Sequence, residues 1–73
     1  MNKQIKNFNE AKEAMLKRKK INVPKLNIVF KQINAIIFRQ GNDGELVVQL
    51  ELQDMKANSV LIVDVKDVEV VEN

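Results

Sequence analysis

The chain of 73 residues contains no cysteine and no histidine. Without cysteine there is no disulfide, no thiolate nucleophile and no zinc–thiolate cluster. Without histidine there is no imidazole ligand, no Ser-His-Asp arrangement and no ordinary general base near neutral pH. Tryptophan and tyrosine are also absent. The remaining aromatics, Phe8, Phe30 and Phe38, read as core, which leaves no platform on which nucleic-acid bases would stack. The two glycines, Gly41 and Gly44, are followed neither by Lys-Ser/Thr nor by a helix, so they make a turn and not a phosphate loop. The longest apolar runs, Ala35-Ile36-Ile37-Phe38 and Val60-Leu61-Ile62-Val63, fall far short of the roughly 20 residues that span a bilayer.

Carboxylates are the chemistry that remains. Asp64 with Asp67, and Glu51 with Asp54, are the pairs that could serve acid/base work or a hard cation. All four occupy strand and turn positions that read as solvated, where no pocket shifts a pKa. No catalytic residue, metal ligand or cofactor is assigned, and the chain is not expected to be an enzyme.

A hydrophobic fraction of 45% is that of a folded protein. The length allows one domain, 1–73. At this size apolar burial and the loss of chain entropy nearly cancel. Disulfides and His/Cys metal sites are excluded as reinforcements, so self-association is the expected supplement. The leading segment Met1-Asn2-Lys3-Gln4 lacks the apolar stretch of a signal peptide. Cytoplasmic residence is expected, or virion association if the chain is phage encoded. Its Asn, Lys, Ile and Val richness points to an AT-rich genome, such as a low-GC bacterium, its phage or an accessory gene.

Asn7 followed by Glu10 has the spacing of a capping box. Glu10 and Glu13 early, with basic residues late, suit a helix dipole. Ile5, Phe8, Ala11 and Met15 form a narrow apolar stripe. A helix over about 7–21 is predicted, ended by Pro24. The rest reads as strands over about 25–31, 33–40, 45–53, 59–64 and 68–72. The Asn42-Asp43-Gly44 turn makes a hairpin of the second and third of these. Along the third, Leu46, Val48, Leu50 and Leu52 point inward. The alternation breaks near Lys66-Asp67, which predicts a bulge or a single helical turn. The fold class is α+β: an N-terminal helix, then four to five antiparallel strands in a meander or a small SH3/Sm-like barrel.

A sheet with one wet face alternates strictly between apolar and polar residues. Here Ile28-Val29-Phe30, Ala35-Ile36-Ile37-Phe38, Leu46-Val47-Val48 and Val60-Leu61-Ile62-Val63 are apolar on both sides. One helix covers one face, so Val29, Ile37 and Val47, with one of Leu61 and Val63, are expected on a second face covered by barrel closure or another chain. They are the candidate protein interface, with a homo-oligomer as the expected assembly.

The net charge of +2 hides an asymmetry. Residues 1–40 carry ten basic side chains against Glu10 and Glu13, giving +8, whereas residues 41–73 carry Lys56 and Lys66 against eight acids, giving −6. Lys17, Arg18, Lys19 and Lys20, with Lys25 nearby, are the candidate nucleic-acid-binding residues, because such a cluster neutralises phosphates without reading sequence. The alternative is a solvated helix end matched to its dipole.

The element order, with Val60-Leu61-Ile62-Val63-Asp64-Val65-Lys66-Asp67-Val68-Glu69-Val70 resembling the last two strands, is similar to SH3-type or Sm-like barrels. The Gly, Asp and Asn signature of Sm strands is absent from Ile33 to Gln53, so the resemblance brings no RNA-binding residue with it. The leading expectation is a small non-enzymatic assembly or adaptor protein acting through protein–protein contacts. A nucleic-acid-binding module using the basic helix end ranks second. An inhibitor that adds a strand to a host protein's sheet ranks third.

Overall fold

The computed structural model describes residues 2–72 of the predicted domain 1–73; Met1 and Asn73 lie outside the described residues. Along the chain these are β1 (Asn2–Gln4), α1 (Phe8–Leu16), β2 (Ile21–Val23), β3 (Ile28–Phe30), β4 (Gln32–Gln40), β5 (Leu46–Gln53), β6 (Val60–Asp64), a 3-10 turn (Val65–Asp67) and β7 (Glu69–Val71). One helix and seven strands make two antiparallel sheets, ordered β1-β7-β2-β3 and β4-β5-β6. The α+β class stands, whereas the expected count of four to five strands is too low.

The helix starts where its cap signal lies. Asn7 is extended (φ −156°) and its side chain accepts from the Glu10 amide at 3.0 Å. Glu10 reaches back to the Lys6 amide at 2.9 Å, one residue further than a standard capping box. The helix ends at Leu16, not near Ile21. The Arg18 N–H donates to the Met15 carbonyl and the Lys19 N–H to that of Ala14, with Arg18 at φ +53°. That is a Schellman cap with arginine where glycine is usual.

Ending there frees Ile21 and Val23 for β2, where both are buried while Asn22 between them faces outward. Pro24 therefore opens a strand-to-strand turn and does not stop a helix. Asn27, at φ +54°, closes that turn by donating to the carbonyls of Val23 and Pro24. What reads as one strand over 25–31 is this turn plus three residues of β3. The polar Asn2–Gln4 pairs with β7 as a further edge strand.

The core lies between the two sheets and the helix. Ile21 and Val23 of β2, Phe30, Ile33, Leu50, Leu52 and Val68 meet Ile5, Ala11 and Ala14 there. Leu50 and Leu52 are inward as their alternation predicts, and both are fully buried, whereas Leu46, expected inward with them, is 69% exposed because its end of the hairpin extends past β6. The 3-10 turn stands where the alternation breaks, and it delivers Val68 to the core. A bulge at Asn34 shifts the β4–β5 register between Ile33 and Ala35. It lets Ile33 and Ile36, three residues apart, lie beside Leu52 and Leu50 on the inner face. The Asn34 side chain ties this point down, accepting from Gln32 and donating to Gln53.

Two of the expected core aromatics are not buried. Phe38 is 50% exposed and Phe8 38% exposed, and they contact each other with ring centroids 5.3 Å apart. The cause is length: β6 pairs only with Gln49–Gln53, so the rest of the β4–β5 hairpin extends past it. Phe8 covers part of that overhang.

Removing Leu50 side-chain atoms leaves a void that nothing exposed can fill. Leu50→Ala is expected to cost about 2–5 kcal/mol, against a total of about 4–11 kcal/mol for a domain of this length. Urea unfolding checks it. Arg18→Gly and Ala57→Gly relieve left-handed backbone at φ +53° and +58°. Each is expected to stabilise by about 1 kcal/mol, read as a rise of several degrees in Tm.

Candidate interaction surfaces

The pairing register sorts the apolar surface. On the outer face of β4-β5-β6, β4 presents Ala35, Ile37 and Arg39, β5 presents Val47, Gln49, Glu51 and Gln53, and β6 presents Val60, Ile62 and Asp64. Ile37 and Val47 are diagonal neighbours there, both half-buried. Arg39 beside them donates to Gln49 at 2.6 Å. Val60 and Ile62 are exposed on the outermost strand. Polar β5 residues thus run between two apolar rows.

Val29 belongs elsewhere. It sits opposite Asn22 on the other sheet, whose outer face also carries Gln4 and Glu69. Glu69 accepts from Asn2 and Asn22, both at 3.2 Å, and this hydrogen bonding makes that face polar around Val29. Two of the three candidate interface residues therefore share a face, and Val29 is separate from them. Val60 and Ile62 complete the apolar rows, in place of Leu61 or Val63, which the sequence pattern put on that face. The register shows Leu61 and Val63 inward.

The basic candidates do not form one stripe. Lys17 pairs with Glu13 at 2.6 Å. That contact lowers the Glu13 pKa and raises that of Lys17, in each case first through the hydrogen bond and then through the opposite charge. Lys25, in the β2–β3 turn, pairs with Asp67 at 3.5 Å. The Lys20 carbonyl accepts from the Val71 amide, so that segment is held in the sheet. Lys17 and Lys19 line a shallow groove of about 130 Å³ between the helix and the β1–β7 edge, together with Lys3, Glu10 and Glu13. Alternating charge of that kind is a weaker attractor for a polyanion than an unbroken basic surface. Its volume is below the roughly 300 Å³ at which small-molecule sites begin.

The carboxylates have structural duties. Asp64 accepts from the Lys66 amide and caps the 3-10 turn, and Asp67 holds Lys25. Asp54 accepts from the amides of Asn58 and Ser59, at 2.7 and 3.2 Å, inside the β5–β6 turn. Glu51 lies on the outer face between Ala35 and Ile62. No group of three or more acidic residues able to hold a metal occurs among the described residues. No helix is long and apolar enough to cross a membrane among them. Comparison with protein families, with curated proteins and with solved structures finds no match.

The amide contact from Ser59, followed by that from Asn58, holds the Asp54 pKa below its usual value. A depressed carboxylate contributes stability above its unfolded pKa of about 3.9, and that contribution is lost as pH falls through the folded value. Asp54→Asn should therefore lose Tm relative to the parent at pH 6. The gap should narrow as pH is lowered from 4 to 2, checked by thermal melts across that range.

Proposed function

We propose that this chain is a small non-enzymatic assembly or adaptor domain that acts through protein–protein contacts and self-associates. The observation that carries the reading is the pair of apolar rows on the outer face of β4-β5-β6. Ala35, Ile37 and Val47 line one side of it and Val60 and Ile62 the other, after the two sheets have already buried one another. Apolar surface that survives closure of the core and lies on one face marks a contact site. We read the two sheets, joined at the corner where the Lys31 N–H donates to the Gln53 carbonyl at 2.7 Å, as a small SH3-type barrel. Such a barrel leaves one face of the three-stranded sheet free to meet another protein.

Light scattering at micromolar concentration should give a mass above that of one chain, and a monomer would overturn the reading. The double variant Ile37→Glu, Val47→Glu should lower the mass while keeping the far-UV spectrum, because both side chains are only half-buried. Val29→Glu, on the polar face of the other sheet, provides the comparison and should leave the mass unchanged. Binding of a mixed-sequence oligonucleotide, lost when Lys17 to Lys20 become Glu, would favour the nucleic-acid reading instead.

A further inference from the structure

Four strands lie at sheet edges: β1, β3, β4 and β6. Exposed edges carry unpaired N–H and C=O groups, and proteins block them with short length, charge, proline or bulges. Three of these edges are blocked in that way. β1 is short and polar, Asn2-Lys3-Gln4. β3 is equally short and lies between Pro24-Lys25 and Lys31. β4 carries the bulge at Asn34, and the helix packs against it. β6 is longer than the three-residue edges β1 and β3, and its one charge, Asp64, stands at its last residue. It reads Val60-Leu61-Ile62-Val63-Asp64, with no lysine, proline or bulge. Among the described residues β5 is its only strand partner, and no further backbone hydrogen bond reaches it.

The ladder fixes which groups are unpaired. The Asp54 N–H donates to the Ser59 carbonyl at 3.1 Å, one step beyond the Gln53↔Val60 pair. Hydrogen-bonded pairs alternate in an antiparallel ladder. Leu61 and Val63 therefore bond to β5, and Val60, Ile62 and Asp64 turn their N–H and C=O groups to the open side. The other side of β5 agrees. The Gly41 N–H donates to the Glu45 carbonyl, and that register assigns Val47, Gln49 and Glu51 to β4, leaving Leu50 and Leu52 for β6.

From this geometry we propose that β6 pairs antiparallel with β6 of a second copy, about a two-fold axis through Ile62. This deepens the self-association reading and rests on it. In that register Ile62 opposes Ile62 of the second copy and Val60 opposes Asp64, so every outward-turned backbone group meets another outward-turned group. Leu61 and Val63 oppose each other on the inner face. The alternative, β6 added head-to-tail to β7, is closed because β1 and β2 occupy both sides of β7. The product is one continuous six-stranded sheet whose outer apolar rows run across both subunits.

The parent chain has no cysteine, so a single introduced thiol reports without background. Cα atoms of a hydrogen-bonded antiparallel pair lie about 5.5 Å apart, within disulfide range. Ile62→Cys should give mostly covalent dimer under mild oxidation. Val29→Cys, similarly exposed on the other sheet, should give several-fold less. Ile62→Pro removes an outward N–H and leaves the β5 ladder whole. It should keep the fold by circular dichroism and lose the two-fold contact. Equal crosslinking from Val29→Cys, or none from Ile62→Cys in a chain that light scattering shows to be oligomeric, overturns the edge pairing and leaves the self-association reading standing. A monomeric parent overturns both.

Discussion

Burial of the inner face of β4-β5-β6 against β2, β3 and the segment before β7 is the constraint on which everything else depends. Leu50 and Leu52 stand at its centre, fully enclosed, with Ile21 and Val68 across from them. Cover comes mainly from the second sheet, because α1 is only Phe8–Leu16 and contributes two buried alanines. A helix that short and that small-faced does not hide a three-stranded sheet. The second sheet exists because the chain leaves the helix about five residues early and spends Ile21 and Val23 on strand pairing instead. Packing decides the location of the helix end, over the helical propensity of the lysines and arginine that follow it.

Local chemistry was the legible part. Asn7 and Glu10 announced the helix start, the Asn42-Asp43-Gly44 turn set the long hairpin, and the alternation of the central strand put Leu50 and Leu52 inward, although Leu46 at its start is exposed. The broken alternation at Lys66-Asp67 foretold a turn that is indeed present. What could not be read was set by distant partners. Nothing in Asn2-Lys3-Gln4 suggests a strand until Glu69-Val70-Val71 lies beside it. Ile21-Asn22-Val23 is too short to show a period, and a proline after it is as consistent with a turn as with a helix stop.

The candidate contact residues follow the same division. Ile37 and Val47 share a face because one hairpin fixes both. Val29 carries the same apolar signature, but its face is settled by β2 and by the hydrogen bonds of Glu69, which sequence neighbours do not reveal. The basic run Lys17 to Lys20 looks like one patch on a helical wheel. A left-handed turn at Arg18 breaks that wheel, and Glu13 and Asp67 engage Lys17 and Lys25 from other parts of the chain. Contiguity in sequence was not contiguity on the surface.

The bulge at Asn34 carries a larger consequence than its size suggests. β4 holds one residue more than its pairing with β5 uses, and a surplus residue on one side of a ladder forces that side to curve. Curvature is what turns the hairpin from a flat ribbon into a wall around the core. Were Asn34 deleted, Ile33 and Ile36 would keep their partners and their faces, yet the ribbon would straighten and lean away from the opposite sheet. The shape of the molecule is thus written in a miscount between two neighbouring strands, at a position whose own side chain never enters the interior.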